Sequence, residues 1–109
     1  MQISMHTSNA DLGDAVRSYV ERRLRFALAR FGSRVGEVTV KLGADGRGES
    51  RCRISAEVLP FGRVEVEERG SDLFAAIDRA AGRMGRLFGR ELDRVRQARF
   101  GRESVRMAA

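Results

Sequence analysis

A switch in hydrophobic period constrains this chain more than any other feature. Three consecutive stretches alternate apolar and polar residues, and on both sides of them apolar residues recur at helical spacing. Val38, Val40 and Leu42 alternate with Glu37, Thr39 and Lys41. Cys52, Ile54, Ala56 and Val58 alternate with Arg51, Arg53, Ser55 and Glu57, and Val64 and Val66 alternate with Glu65 and Glu67. Period two sends successive side chains to opposite faces, so each stretch reads as a strand with one apolar and one polar side. The segment Gly43-Ala44-Asp45-Gly46-Arg47-Gly48 reads as a turn or short loop rich in residues that tolerate positive φ. Leu59-Pro60-Phe61-Gly62 reads as a hairpin turn, with Pro setting φ and Gly supplying the permissive position.

The flanks complete the pattern. Ile3 and Met5 share one parity and Gln2, Ser4 and His6 the other, which predicts a short opening strand. Ser8-x-x-Asp11 has the form of a capping box, and Leu12, Ala15, Val16, Tyr19, Val20, Leu24, Ala27 and Phe31 follow at helical spacing. A helix from about Ala10 to Arg30, stopped by Gly32-Ser33, is expected. A second helix opens with Ser71 as N-cap and Asp72 at the positive end of the dipole. Its apolar stripe is Leu73, Ile77, Ala80, Met84, Leu87, Phe88 and Val95, and it is expected to reach Arg99 and stop at Gly101. At ~1.5 Å per residue it spans about 42 Å and overhangs a small sheet. The fold class is therefore α+β: a βαβββα two-layer sandwich with both helices on one face of a four-stranded sheet. Residues 1–99 form the domain and residues 100–109 a flexible tail.

Composition narrows the function. The 109 residues, 42% hydrophobic and 33% charged, suit one globular domain. No apolar run approaches the ~20 residues of a spanning helix, and Met1–His6 lacks the pattern of a secretory signal, so a cytoplasmic protein with no membrane partner is expected. One cysteine excludes an intramolecular disulfide and one histidine excludes a His-rich metal site. No phosphate-binding loop, dinucleotide fingerprint or metal spacing occurs. Cys52 shares parity with Ile54 and Val58 and reads as a buried small hydrophobe, and His6 has the opposite strand parity from the core. No catalytic residue, cofactor, metal or small-molecule substrate is therefore expected, and the protein is not read as an enzyme. The charge points elsewhere. Lys and Arg total 21 against 15 Asp and Glu, for a formal net charge of +6, and Lys41 is the sole lysine. That balance favours an anionic partner, nucleic acid first. Arg is suited to bidentate phosphate contacts and base stacking, although codon usage in a GC-rich genome would also enrich it.

The densest constellation lies on the second helix. Arg79, Arg83, Arg86, Arg90 and Arg94 are spaced four, three, four and four residues apart and fall within roughly an 80° sector. That sector lies about 120° from the apolar stripe, so it is expected to be solvated and able to track phosphates. A plain solvated face is the alternative, but acidic partners look few: Asp78 and Asp93 fall off the row and Glu91 falls under the apolar face. Glu65, Glu67 and Glu68 read as solvated carboxylates on a strand. The first helix adds a dispersed set, Arg17, Arg22, Arg23, Arg25 and Arg30. Arg23 and Arg30 project close to the apolar stripe, so Arg23 is as readily structural as RNA-binding. Arg22 and Arg25 face outward, with Glu21 nearby. Gly82, Gly85 and Gly89 line up beside the Arg row, either to admit a partner's backbone or to pack on the first helix.

The opening Met1-Gln2-Ile3-Ser4, the helix Leu12…Ala15-Val16-Arg17…Val20…Arg23-Leu24, the segment Asp72-Leu73-Phe74-Ala75-Ala76-Ile77-Asp78 and the following Arg83-x-x-Arg86-x-x-x-Arg90 together resemble the ribosome hibernation-promoting factor family. That family includes the ribosome-associated inhibitor and was formerly called sigma-factor modulation protein. The resemblance covers about residues 1–97. It implies a double-stranded-RNA-binding-like fold that lies in the messenger and transfer RNA channel of the small ribosomal subunit and stops translation under stress or in stationary phase. It places Arg83, Arg86 and Arg90, and on the first helix Arg17 and Arg23, among the family's basic positions. Arg79, Arg94, Arg22 and Arg25 join them on geometry alone. The loop Gly43–Ser50 is shorter than in many relatives, and the chain ends where long members carry a dimerisation domain. A short form, monomeric in isolation, is thus expected. The alternatives are a generic double-stranded RNA-binding module and a protein-interaction regulator. The first usually places basic residues where this chain has Ser71-Asp72, and the polar strand faces carry no aromatic pair for stacking of the RRM kind.

Overall fold

The computed structural model describes the backbone of residues 1–7, 13–44 and 47–108, and the side chains of these up to residue 98. In chain order the elements are β1 (Gln2–Thr7), α1 (Asp14–Leu28), a short 3-10 helix (Ala29–Arg34), β2 (Val35–Ala44), β3 (Ser50–Val58), β4 (Gly62–Gly70) and α2 (Leu73–Ala108). The sheet order is β1-β2-β3-β4. β1 runs parallel to β2, with Ile3 opposite Val38 and Met5 opposite Val40. β2, β3 and β4 are antiparallel, with Val40 opposite Ile54 and Ile54 opposite Val66. This is the expected α+β architecture, a mixed sheet under two helices.

The period-two stretches account for the core. Val38, Val40, Leu42, Cys52, Ile54, Ala56, Val58, Val64 and Val66 are all buried, and their polar neighbours lie on the open face. Val20, Leu24 and Leu28 of α1 and Ala76, Ile77, Ala80, Met84, Phe88, Leu92 and Val95 of α2 close the same cluster from one side. Among the described residues no polar or charged side chain is buried. The core is therefore purely hydrophobic in drive, and burying one of its larger side chains contributes about 2–3 kcal/mol.

Several boundaries differ from the sequence expectation. α1 begins at Asp14, not Ala10, with Gly13 at its N-cap and no side-chain cap; the capping-box pair Ser8 and Asp11 lies outside the described residues. It ends at Leu28 rather than Arg30, because the chain tightens into the 3-10 helix, within which Gly32 adopts φ 54° and breaks the helical backbone. Asp72, not Ser71, caps α2: its Oδ1 accepts from the Phe74 N–H at 3.0 Å. α2 runs through Gly101 to Ala108. One glycine costs only about 1 kcal/mol in a helix, and Arg102-Glu103 beyond it are good helix formers. Gly62 does not supply a positive φ; among the described glycines only Gly32 and Gly48 do. Its reason is space, since a Cβ there would sit 2.8 Å from Val95 Cγ2 and 3.1 Å from Val58 Cβ. α2 lies directly over the start of β4.

Candidate nucleic-acid interface

Packing of α2 on β3 and β4 decides what its other side can do. With Ile77, Met84, Phe88 and Val95 turned to the sheet, Arg79, Arg83, Arg86, Arg90 and Arg94 are all exposed; Arg79, Arg83, Arg90 and Arg94 lean toward β4, the edge strand of the sheet, and Arg86 toward the 3-10 helix. The five do not stand in equal circumstances. Arg79 donates to the Arg69 carbonyl at 2.8 Å and lies 3.9 Å from a Glu68 carboxylate oxygen. Arg83 lies 3.6 Å from the other Glu68 oxygen. Arg94 is hydrogen-bonded to Glu91, which raises its pKa first through that bond and then through the charge of Glu91. Arg86 and Arg90 take part in no ion pair among the described residues.

This corrects the expectation that acids near the row are few and that β4's carboxylates are merely solvated. Glu65 pairs with Arg53 at 3.1 Å and with Arg63 at 3.5 Å, and Glu67 pairs with Arg69 at 3.4 Å. Glu68 shares the inward parity of Val64 and Val66: it faces the buried Cys52 across the ladder, on the helix side of the sheet, where it meets Arg79 and Arg83. A reading of α2 alone could not find it, because its proximity comes from the docking of the helix on the sheet. These pairs are surface pairs worth about 0–1 kcal/mol, so a phosphate can compete for the same guanidinium groups.

α1 contributes unequally. Arg17, Arg22 and Arg25 are exposed, and none is in an ion pair among the described residues. Arg22 stands 6.0 Å from the Tyr19 ring centroid. Arg23 is different: its Nε donates to Asp78 Oδ1 at 2.9 Å and its Nη2 to the Asp78 carbonyl at 3.4 Å. The Tyr19 hydroxyl donates to the same Asp78 oxygen, and this bond chiefly raises the Tyr19 pKa above 10.0. Arg23 thus ties α1 to α2. The glycine row resolves the same way for two of its members. A Cβ on Gly85 would meet the Ala27 carbonyl oxygen at 3.1 Å, and one on Gly89 the Phe31 ring at 3.5 Å, so both sit where α1 and the 3-10 helix cross α2. A Cβ on Gly82 would meet only an Arg86 nitrogen, at 3.7 Å.

Between the 3-10 helix and α2 runs a groove of about 400 Å³ whose walls include Arg30, Arg86, Arg90 and Arg96, with Asp93 the single acid among its lining residues. Arg30 is fixed there, its guanidinium 4.7 Å from the Phe31 ring centroid and donating to the Gly85 carbonyl at 3.4 Å. A concave, arginine-lined channel beside a row of exposed arginines suits a phosphodiester backbone better than a small neutral ligand. Elsewhere the chemistry is quiet. Cys52 is buried, and desolvation, helped by the charge of Glu68, pushes its thiol up to about 12. Among the described residues no cluster of His, Cys, Asp and Glu could hold a metal ion, and no helix is long and apolar enough to cross a membrane.

A βαβββα sandwich presenting a basic helical layer is the class of protein these features define. Residues 3–96 match the family model described as Sigma 54 modulation protein / S30EA ribosomal protein, and the chain belongs to that family, the one its sequence resembles. The N-terminal domain of Thermus thermophilus Protein Y superposes with a TM-score of 0.72 at 35% identity, over 83% of this chain and 98% of that one. A ribosomal subunit interface protein from Coxiella burnetii shares the fold at a TM-score of 0.73 and 13% identity, over 83% of this chain and 96% of that one. No curated protein matches the chain significantly in sequence.

Proposed function

We propose that this protein binds the small ribosomal subunit through ribosomal RNA, occupies the channel of messenger and transfer RNA, and so silences translation under stress or in stationary phase. It works in the cytoplasm, as a monomer when free, by occupancy rather than catalysis. Residues 1–99 carry the activity. The observation that supports this most is the exposed row on α2, in which Arg86 and Arg90 stand with no protein counter-ion among the described residues. Membership of the Sigma 54 modulation protein / S30EA ribosomal protein family supports the choice of partner. Arg83 and Arg79 extend the row, Arg94 lengthens it, and Arg17, Arg22 and Arg25 add charge from α1. Arg23 acts mainly by positioning α1.

Reversal of Arg83, Arg86 and Arg90 to Glu tests the reading. Each wild-type side chain neutralises about one phosphate, so affinity falls steeply with salt, and the triple variant loses co-sedimentation with small subunits at matched salt. The three are exposed, and surface changes move stability by only ~0.5 kcal/mol each, so circular dichroism and melting stay close to wild type. A folded triple variant that still co-sediments as wild type overturns the assignment. Equal affinity for a plain RNA duplex and for the subunit would favour a generic duplex binder instead.

A further inference from the structure

Among the described residues, one large apolar side chain of the helical layer stands out as unused by the fold. Phe26 of α1 is 80% exposed, against 37–47% for the other exposed large hydrophobics. At ~100° per residue it points about 160° away from both Leu24 and Leu28, which are buried. Phe31 lies against Phe88 and Phe74 against Tyr19, but Phe26 has no ring partner among the described residues. Its surroundings are cationic. Arg22 stands one helical turn before it and Arg25 beside it in the chain, and Arg30, four residues after in the 3-10 helix, lines the arginine-lined groove. The carboxylates of α1 are Asp14 and Glu21, and Glu21 lies about 140° around the helix from Phe26.

We propose that Phe26 is a stacking point for one unpaired nucleobase of the bound RNA, with Arg22 and Arg30 taking the phosphates on either side of it. The inference rests on the RNA-binding reading above and adds a residue that reads single-stranded structure rather than charge. A bare aromatic ring among guanidinium groups matches what a splayed nucleotide offers, a π-face flanked by anions. Duplex bases are already stacked and cannot use it. A protein partner would be matched by a contiguous apolar patch, whereas Phe26 is a single ring without a ring partner among the described residues.

Binding to small subunits at matched salt, with melting alongside, is measured for the wild type, Phe26→Ala, Phe26→Leu and Phe26→Trp. Ala and Leu are expected to weaken binding about fivefold or more, because stacking on one aromatic carries that much. The dependence on salt keeps its wild-type slope, since no phosphate contact is removed. Trp retains affinity. The chain contains no other tryptophan, so emission of the Phe26→Trp variant reports this position alone. It is quenched by small subunits and by a single-stranded RNA oligonucleotide, and not by a blunt RNA duplex. Wild-type affinity in the Ala variant overturns the proposal, and so does wild-type affinity in the Leu variant, which would mark apolar docking to a protein. If the wild type binds no subunit, the ribosome reading falls, while quenching by the oligonucleotide still decides whether Phe26 stacks on RNA.

Discussion

Single residues in this protein act through the space and charge that the fold puts around them. Gly62 is the clearest steric case. With Val95 and Val58 within about 3 Å of where a Cβ would stand, Gly62→Ala forces α2 off the hairpin and is expected to cost about 1–3 kcal/mol. A melt several degrees lower than wild type checks it. Cys52 is the electrostatic case. A thiol pushed up to about 12 is almost wholly protonated at pH 8, so an alkylating reagent should label it only through unfolding, while Cys52→Ala keeps subunit binding and translation inhibition. Rapid labelling of the folded chain, or loss of inhibition in a folded Cys52→Ala variant, contradicts this. The Tyr19 hydroxyl donates to Asp78, and its pKa is raised above 10.0. The contribution of that bond to stability is present below pH 10 and is lost as pH rises through the higher folded value. Tyr19 is the sole tyrosine, so tyrosinate absorbance follows it directly, and Asp78→Asn should lower the midpoint. An unchanged midpoint would rule out the bond as the cause.

At the scale of elements, the basic face of α2 is edited by β4. Glu68 holds Arg79 and Arg83 from the strand, and Glu91 holds Arg94 from within the helix. On the proposed reading, binding through those three arginines must first break a pair, whereas Arg86 and Arg90 would bind without that cost. Arg86→Ala and Arg90→Ala are therefore expected to weaken subunit binding more than Arg79→Ala. Glu68→Gln, which removes a competing carboxylate, should strengthen it about two- to fivefold, in keeping with a surface pair worth about 0–1 kcal/mol. Titrations at one salt concentration measure both, and weaker binding by Glu68→Gln would mean that the pair orients the arginines instead. The row on α2 is legible in the sequence because five arginines at helical spacing need only the helix to converge. Glu68 is legible only in part: its parity with Val64 and Val66 points to the helix side, but only the approach of α2 brings it to Arg83. Arg23 was ambiguous for a related reason: a basic residue at the border of an apolar stripe serves either role until its neighbour, here Asp78, is known.

At the scale of the molecule, the long axis is 59 Å against 23 and 18 Å across. A 36-residue helix at ~1.5 Å per residue accounts for about 54 Å of it, while a ten-residue strand spans only about 33 Å. The last described core residue on α2 is Val95. A chain shortened after Arg99 should therefore melt cooperatively near the wild-type temperature, losing only the helical dichroism of the removed turns; a collapsed melt would show that the extension supports the fold. What the sequence determined alone was everything that follows from period and spacing. It set the order of elements, the inward set of each strand, the apolar stripe of α2 and the convergence of Arg79, Arg83, Arg86, Arg90 and Arg94, since each depends on a repeat within one element. The tertiary structure alone decided where α1 stops, why Gly62, Gly85 and Gly89 are glycines, and which arginines are left without a counter-ion. Those depend on distances between elements far apart in the chain, and such distances exist only once the helices have docked on the sheet.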